Sequence, residues 1–399
     1  MSEKTSALQI MVGSRRSLSG AIMFFLVLCL AFIFPAVPGT ASVITLGPGD
    51  SIQAAVDGSG DGDIIYVDSG ATFRESINVT KRITLRGMNR PVIDAQGGEN
   101  AVVLSANGTV LDGFKITNSI STGIHVLSNN NHIMNNIIAD AGNAIFLENS
   151  QGNIISHNQA DSDGLFSNGI YLNSSCNNVL VNNSATVGWI GFGIFLTESS
   201  NNTIFQNKAY GGRIVGSGIA LENGSNYNEV TKNEAVCNWF GGGILLINST
   251  QNKIDGNNVR TTGWGLRNTW TMYWGNGIAL QESSRNVLRN NRVSNCYIGF
   301  YTSSSNENVF EGNNVMENLN GFGLMGARRN TISSNLVKKN SDYALGLLDL
   351  SNDNVFMNNT IENNRCGIYF QDSNFNVIYM NNSLQGNEAN IDSLRSINS

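Results

Sequence analysis

The sequence predicts an all-β protein in which the chain winds as a parallel β-helix, with three short strands in each coil. Three observations predict this fold class. A motif returns about every 22 to 26 residues along most of the chain. Apolar and polar residues alternate in stretches that are too short and too rich in β-branched residues for helices. The composition, with 14% charged residues, 43 Gly and 4 Pro in 399 residues, is typical neither of a disordered chain nor of a helical one.

The N-terminus has the features of an export signal. Two arginines precede an apolar stretch at 21–34, and small residues follow up to Ala41. These are the three parts of a secretory signal peptide. We therefore expect residues 1–41 to be a signal peptide and residues 42–399 to be exported as a secreted, cell-surface or periplasmic protein without a membrane span. The apolar stretch is shorter than the roughly 20 residues of a membrane span, but an uncleaved N-terminal anchor stays the alternative.

A short helix is predicted before the first coils. Ser51 is a favourable N-cap residue, and Ile52, Ala55 and Val56 fall on one face of a helix over 51–57. The open end of the first coil would otherwise present unpaired strand edges. We therefore expect this helix to cap the β-helix at its N-terminal end.

The repeat is Asn-x-apolar-x-x-Asn, usually preceded by Gly-Ile-x-Leu and followed by a further apolar residue. One interval of 34 residues, between Asn252 and Asn286, marks an insertion. The eleven copies begin at Asn131, Asn153, Asn178, Asn202, Asn228, Asn252, Asn286, Asn308, Asn330, Asn354 and Asn376. The regular repeats therefore occupy 131–386. A leucine-rich repeat has a similar period, but it needs a denser Leu pattern and a helical arm.

Each repeat holds three short strands, and three strands in a period of this length make one coil of a parallel β-helix. Ile194, Leu196, Ile204 and Ala209 are predicted to point inwards and to stack on equivalent residues of neighbouring coils. One coil cannot bury its apolar residues alone, so the stack is the folding unit. With two or three irregular coils before Asn131, we expect about 13 coils in one domain.

The second Asn of each copy is predicted to form a ladder at one corner of the coils. Coils lie about 4.8 Å apart, close enough for one side-chain amide to bond to the amide above it. Asn also tolerates the left-handed backbone of a tight corner. The column comprises Asn136, Asn158, Asn183, Asn207, Asn233, Asn257, Asn291, Asn313, Asn335, Asn359 and Asn381. We interpret these asparagines as structural rather than catalytic.

Four cysteines lie in the predicted domain, at Cys176, Cys237, Cys296 and Cys366. The last three are two or three coils apart, about 10 Å or more, whereas a disulfide needs Cα atoms within about 7 Å. Cys176 belongs to a different corner of the coil. We therefore predict free thiols, although exported proteins often carry disulfides.

Two stretches, SIQAAVDGSGDGDIIYV from Ser51 and GIFLTESSNNTIFQN from Gly193, resemble the right-handed parallel β-helix of the pectin-lyase-like superfamily. More narrowly, they resemble the NosD-type and carbohydrate-binding/sugar-hydrolysis (CASH) β-helix proteins of archaeal and bacterial surfaces. The resemblance covers nearly all of 44–390. It implies a right-handed coil, with any ligand lying across the sheet of first strands, beside the variable loops that precede those strands.

The resemblance leaves open whether the protein is an enzyme. The Gly-His-Gly motif of polygalacturonases, the Arg-x-Pro-x-x-Arg motif of pectate lyases and the Tyr-Gly-x-Asp-Pro-His-Asp motif of alginate epimerases are absent from the sequence. Hydrolysis needs paired carboxylates about 5 to 10 Å apart. Glu198 and Glu282 fall where most repeats have Ser or Asn, which favours solvated turn residues. Arg213 is a lone candidate for the base of a lyase, and catalytic residues stay unassigned.

The five tryptophans fall in the variable corner before the Gly-Ile-x-Leu strand. Exposed aromatic residues beside an elongated sheet form a surface on which sugar rings stack, while carboxylates and amides bind hydroxyl groups. The predicted carbohydrate-binding residues are Trp189, Trp239, Trp264, Trp270, Tyr273 and Trp274 in the corner loops, with Tyr171, Phe195 and Glu222 facing outwards on adjacent strands. The alternative is that the insertion folds down and its aromatic residues cover Phe195 and Leu245 as a small satellite core.

Three functional hypotheses follow from these observations. The first is an exported β-helix that binds, or binds and processes, a polysaccharide or surface glycan. The second is a non-catalytic structural or adhesin-like surface protein. The third, implied by the resemblance, is a NosD-like accessory factor for a copper enzyme.

Charge and histidine positions narrow the range of partners. The net charge is −6 and long runs of Lys and Arg are absent, which argues against nucleic acid. His125, His132 and His157 take different places in the repeat, so we predict no dedicated metal site. No cofactor is expected, and the protein is expected to be a monomer.

Overall fold

The computed structural model of the protein describes residues 41–68, 70–262 and 275–398. Over these ranges the chain forms one short α-helix and 41 β-strands, wound as a right-handed parallel β-helix. The sheet of second strands contains 15 strands, so there are about 15 coils and the predicted number, about 13, is too low. Four coils precede Asn131, and they were undercounted because they lack the paired asparagines that identify the repeat.

The predicted signal peptide lies outside the described residues except for Ala41, so it stays a prediction. Within the ranges that the structure describes, no helix combines the length and the apolar character needed to cross a membrane.

The predicted capping helix is confirmed as α1, Ile52–Gly58. The Ser51 side chain accepts a hydrogen bond of 3.1 Å from a backbone N–H of the first turn, as an N-cap residue does. The carboxylate of Glu75 accepts two more backbone bonds at the same end, at 2.7 and 3.1 Å, where negative charge is favourable. Ile52 and Val56 are fully buried against the core. The helix thus closes the first coil.

The second strands of the coils form one continuous parallel sheet, which we call the second sheet. Its strands are Val43–Leu46, Ile64–Val67, Thr84–Gly87, Val110–Asp112, His132–Met134, Ile154–Ser156, Val179–Val181, Thr203–Phe205, Glu229–Thr231, Lys253–Asp255, Val287–Arg289, Val309–Glu311, Thr331–Ser333, Val355–Met357 and Val377–Ile378.

The first and third strands form two further parallel stacks, the first sheet and the third sheet. Two long strands, Val92–Leu104 and Lys115–Val126, pass round the corner and belong to both. The other first-sheet strands are Ile77–Val79, Asn143–Glu148, Asn168–Asn173, Ile194–Thr197, Ile219–Glu222, Gly242–Ile247, Asn276–Gln281, Ile298–Ser303, Asn320–Met325, Tyr343–Leu348, Cys366–Gln371 and Ala389–Leu394. The other third-sheet strands are Thr72–Phe73, Ile137–Ile138, Gln159–Ser162, Ser184–Val187, Lys208–Tyr210, Glu234–Cys237, Asn258–Thr261, Arg292–Ser294, Asn314–Met316, Leu336–Lys338, Thr360–Glu362 and Ser383–Gln385.

The core consists of inward residues that stack coil on coil. Ile194, Leu196, Ile204 and Ala209 are all fully buried, as predicted. Ile194 pairs in register with the Ile of the strand on either side. Each column therefore repeats one kind of side chain, and the apolar residues of one coil are covered by those of the next.

Buried asparagine ladders hold the coils in this register. In the predicted column, Asn207 Oδ1 accepts hydrogen bonds from the backbone N and the Nδ2 of Asn183, at 2.9 and 3.0 Å. Asn207 Nδ2 donates to Asn233 Oδ1 at 3.1 Å and to the carbonyl of Leu180 at 2.9 Å. Both polar atoms of a fully enclosed amide are thus paired, as burial requires. The predicted ladder is confirmed.

Two further ladders run parallel to the predicted one. The first Asn of each copy repeats the same pattern, with Asn202 N and Nδ2 donating to Asn228 Oδ1 at 2.8 and 3.2 Å. A serine ladder lies three residues before it, where Ser199 N donates to Ser225 Oγ at 3.1 Å. Each coil is therefore bonded to the next at several buried points besides its strands.

Two details of the predicted ladder are wrong. The left-handed residue of the corner is the one before the ladder Asn, such as Gln206 with φ 55°. Because the turn is made there, the ladder Asn keeps its N–H directed at the next rung. The last rung is Asn382 rather than Asn381, since Asn359 N donates to Asn382 Oδ1 at 2.9 Å. The final copy has one extra residue in its turn, which shifts the rung by one position.

Replacing one rung tests the ladder. Asn207→Ala removes two acceptor bonds from Asn183 and leaves the buried Leu180 carbonyl without its amide donor, so we expect the free energy of unfolding to fall by about 3 kcal/mol. Chemical denaturation followed by circular dichroism measures this. Asn201→Gly is the control, because Asn201 is exposed at φ 58° and glycine adopts that backbone freely. An equal loss in both variants would contradict a structural role for the ladder.

The four cysteines of the β-helix are free, as predicted. Cys237, Cys296 and Cys366 are buried, whereas Cys176 is half-buried. Burial raises the pKa of the Cys237 thiol to about 12, and burial likewise raises the pKa of Cys296. The thiolate is the reactive form of cysteine. The buried thiols are therefore unreactive for two reasons: reagents cannot reach them, and they stay protonated.

Thiol labelling tests this packing. In a fragment 42–399, a thiol reagent at pH 8 should modify Cys176 alone in the native state and four cysteines after unfolding. Mass spectrometry of the labelled peptides identifies the sites. If Cys237 reacted in the native protein as fast as Cys176, the third sheet would not be packed as described.

Candidate functional site

Four successive loops, each joining a third strand to the following first strand, stack on one another. Their central residues form parallel bridges that link Phe166, Ile190, Val215 and Phe240 in turn, and this register aligns the preceding residues as a second column. We call these eight residues the loop strip: Leu165, Phe166, Trp189, Ile190, Ile214, Val215, Trp239 and Phe240. All except Ile190 are at least 39% exposed. An apolar surface of this extent generally marks a site of interaction.

Backbone contacts make the loop strip rigid. Ile214 N donates to the carbonyl of Trp189 at 3.0 Å, and Phe240 N donates to the carbonyl of Ile214 at 3.0 Å. Gly191 and Gly216 have φ of 136° and 145°, a region that favours glycine. A Cβ at Gly216 would overlap the carbonyl oxygen of Gly191 in the coil below. The loops can therefore approach each other closely only because glycine occupies these positions.

A cleft of about 630 Å³ lies beside the loop strip, over the third sheet. It is lined by Thr186, Val187, Trp189, Tyr210, Gly211, Arg213, Ile214, Asn238, Trp239 and Thr262. The indoles of Trp189 and Trp239 are 48% and 50% exposed. Ile214 occupies the coil between them, so the two indoles stand on one column, two coils apart.

Among the described residues that line the cleft, Arg213 is the one that carries a charge. Its guanidinium lies over the ring of Trp189, 5.9 Å from the ring centroid, at a cation–π distance. Arg213 is exposed and forms no ion pair with any described residue. The cleft therefore combines two exposed indoles with one cation that is free to meet a ligand.

Polar contacts fix the floor of the cleft. Asn238 Nδ2 donates to the carbonyls of Gly211 and Gly212 at 3.0 and 3.2 Å, so this amide is committed to the loop. Burial raises the pKa of Tyr210, and the neighbouring Glu234 raises it further. The phenol therefore stays neutral, with its hydroxyl directed at Glu234.

Tyr171 and Phe195 lie on the outer face of the first sheet and do not line this cleft. They belong to a stack with His125 and Phe146, in which successive ring centroids are 4.7 to 4.9 Å apart and the rings are within 12° of parallel. Phe192 packs on the far side of Phe195 at 4.6 Å. The faces of the Tyr171 and Phe195 rings are thus covered by neighbours.

Glutamates surround this aromatic stack. Glu148 bonds to His125 Nε2 at 3.0 Å. Burial raises the pKa of Tyr171, and the charges of Glu148, Glu198 and Glu222 raise it further. Burial also raises the pKa of the half-buried Glu222. Glu198 is an exposed turn residue with φ 51°, as the sequence indicated.

Four of the predicted binding residues, Trp264, Trp270, Tyr273 and Trp274, fall in the insertion outside the described residues. The predicted residues that the structure describes divide between two faces. Trp189 and Trp239 share the cleft, whereas Tyr171, Phe195 and Glu222 lie on the first sheet. Ile214 was not among the predicted site residues. A signal for it exists in the sequence, because Trp189, Ile214 and Trp239 follow one another at intervals of 25 residues and each lies two residues before a glycine.

The histidines do not form a metal site in the part of the chain that the structure describes. No three His, Cys, Asp or Glu residues come together there in a way that could hold a metal ion. His125 pairs with Glu148 on the first sheet, His132 lies on a strand of the second sheet, and His157 contacts Asn182 at 3.4 Å.

The raised pKa of Glu222 predicts a pH-dependent effect on stability. Because the carboxyl binds its proton more readily in the folded state, its contribution favours folding below the ordinary value of 4.5 and is lost as pH rises through the folded value. We therefore expect Glu222→Gln to raise the free energy of unfolding at pH 7 and to leave it unchanged at pH 4. Denaturation at both pH values measures this, with Glu198→Gln as the exposed control. A variant that is less stable at pH 7 would mean that the carboxylate has a stabilising partner.

Comparison with known protein families identifies two matches. The family described as periplasmic copper-binding protein (NosD) matches residues 76–263. The family described as right handed beta helix region matches residues 243–396. A search of curated proteins finds no significant match.

Several solved structures are similar to this chain. The Dettilon tailspike protein has a TM-score of 0.53 and 15% identity, covering 88% of this chain and 68% of its own. A mutant of the periplasmic alginate epimerase AlgG has a TM-score of 0.48 and 13% identity, covering 84% and 77%. The catalytic domain of a GH87 α-1,3-glucanase has a TM-score of 0.49 and 13% identity, covering 90% and 70%.

At these identities the tailspike likeness concerns the fold alone. It agrees with the parallel pairing of all three sheets and with the two family matches, which together span most of the coils. The chain is a right-handed parallel β-helix protein, and its residues 76–263 are similar to the NosD family.

Proposed function

We propose that this protein binds a polysaccharide in the cleft beside the loop strip, with Trp189 and Trp239 as the surfaces on which sugar rings stack. One observation carries the proposal: two indoles, each about half exposed, stand on one column and line one cleft. The rigid loop strip holds them there without a ligand, so binding does not have to order them first.

The chemistry of the cleft suits a sugar. A pyranose ring presents C–H groups on its faces and hydroxyls around its edge, so it needs an apolar surface flanked by polar groups. Trp189, Ile214 and Trp239 supply the apolar surface, and Thr186 and Arg213 lie at its border. A mostly apolar concave site with a few polar groups is the usual form of a small-molecule site.

Tyr171 and Phe195 have a different part in this proposal. Their ring faces are covered by the aromatic stack, so they present edges and cannot stack on a sugar. We propose that they stiffen the first sheet beside the loop strip. Glu222 lies on the same face of the first sheet. We propose that any contact it makes with a ligand is on that face rather than in the cleft. Contributions of Trp264, Trp270, Tyr273 and Trp274 to binding stay a prediction.

The copper function in the family description is not proposed for this chain. Copper sites in proteins use His, Cys or Met ligands arranged in a defined geometry, and the described residues contain no group of three His, Cys, Asp or Glu that could hold a metal ion. The periplasmic location in that description agrees with the predicted signal peptide, and we propose an extracytoplasmic location on these two grounds.

Removing both indoles tests the proposed function. Trp189→Ala combined with Trp239→Ala should abolish binding to a glycan array, because truncating a tryptophan that anchors a ligand costs about 2 kcal/mol or more and two are lost. Circular dichroism should show an unchanged fold, since both side chains lie outside the core.

Tyr379→Ala is the matched control, because Tyr379 is also about half exposed, at 51%, but lies far along the chain from the cleft. Glycan binding that survives loss of both tryptophans would exclude the cleft as the site. Absence of glycan binding in the unaltered protein would favour the structural or adhesin-like alternative.

A further inference from the structure

We infer that the polysaccharide is an anionic chain that runs parallel to the β-helix axis, with Arg213 binding the acidic group of the central sugar of three. This inference rests on the proposed function and adds the direction, the register and the charge of the ligand. It locates the ligand on the third-sheet side of the loop strip, whereas the family resemblance implied the sheet of first strands.

The direction follows from the column of apolar side chains. Trp189, Ile214 and Trp239 occupy the same position in three consecutive coils, because the bridges join the residues that follow each of them. Consecutive coils are about 4.8 Å apart. A pyranose in an extended chain has a similar length, so a chain along the axis advances by about one sugar for each coil.

The register follows from the same spacing. A sugar on Trp189 and a sugar on Trp239 are separated by one further sugar, which lies over Ile214. Ile214 is smaller than an indole and is 39% exposed, so the central sugar has more room than its neighbours. The cleft therefore has three subsites, of which the outer two are aromatic.

Arg213 determines the charge of the central subsite. It precedes Ile214 in the middle coil, and its guanidinium lies over the Trp189 ring, beside the second subsite. The guanidinium matches the planar geometry of a carboxylate and also binds sulfate esters. An acidic substituent on the central sugar would meet this group without competition from another charge among the described residues that line the cleft.

Several other arginines of the described residues are paired with carboxylates, whereas Arg213 is not. Ion pairs with Asp or Glu at 3.0 Å or less are formed by Arg86, Arg260, Arg285, Arg289, Arg365 and Arg395. The protein as a whole carries a charge of −6. A cation that stays unpaired beside two indoles in an acidic protein is directed at a ligand that brings its own negative charge.

A set of probes with one backbone tests the charge. The probes are a β-1,4-linked mannuronate hexasaccharide, its carboxyl-reduced neutral form, and that neutral form with sulfate esters. Calorimetric titration at low salt should give about tenfold tighter binding of the uronate than of the neutral form. Raising the salt concentration should reduce this preference, because charge interactions at an exposed site are screened. If the sulfated form also binds tightly, Arg213 binds either anion. If the sulfated form binds no more tightly than the neutral form, the subsite is specific for a carboxylate.

Arg213→Gln should remove the preference for the uronate, because it weakens binding of the uronate about tenfold more than binding of the neutral form. Arg328→Gln is the control, because it removes the same charge from an exposed position in another turn. Trp239→Ala should weaken the uronate and the neutral form by the same factor. Equal affinity of the unaltered protein for both forms, or an equal effect of Arg213→Gln on both, would overturn the anionic subsite while the proposed function stands. No binding of any probe by a protein that binds on the glycan array would overturn the anionic subsite alone, whereas no binding in either experiment would overturn both.

Chain length tests the register. Affinity should rise steeply from the disaccharide to the trisaccharide, since three sugars are the shortest chain that reaches both indoles. In Trp239→Ala this step should disappear. A disaccharide that binds as tightly as the trisaccharide would contradict the alignment of one sugar with one coil.

Discussion

The hydrogen bond from one buried asparagine to the next is the interaction on which the rest of the structure depends. Most ladder Oδ1 atoms accept two bonds from the coil below, as Asn207 does from Asn183. These bonds are enclosed by the core, where an unpaired amide would be costly. They fix both the distance between coils and their rotation about the axis. The loops of the loop strip follow the same register, because they connect strands that the ladders align. Trp189 and Trp239 lie on one column for this reason.

The repeat made most of the fold predictable from the sequence. A fixed period places Ile204 in the interior and Asn207 at the corner of every coil, so burial, ladder and free thiols followed from one alignment. The four coils before Asn131 escaped full detection because they lack the ladder residues. Backbone details such as the left-handed residue at Gln206 also escaped, since a period shows which residues correspond but does not reveal their φ.

The candidate site could be predicted only in part, for a different physical reason. The position of the tryptophans in a variable corner was visible in the sequence, but the side of the loop on which each lies depends on the loop backbone. Gly191 and Gly216 set that backbone through conformations that favour glycine. As a result Trp189 faces the cleft, while Tyr171 and Phe195 stack with their ring faces covered on the first sheet. Exposure of the side chain, rather than aromatic character, distinguishes the proposed binding residues.

We propose that stacked coils hold Trp189 and Trp239 on one column as a platform for a sugar chain. A crystal structure of the protein with a bound oligosaccharide would reveal whether they do. We expect sugar rings against both indoles, a chain parallel to the β-helix axis, and one sugar over Ile214 between them. A chain lying across the outer face of the first sheet, or indoles on opposite sides of the loop strip, would contradict it.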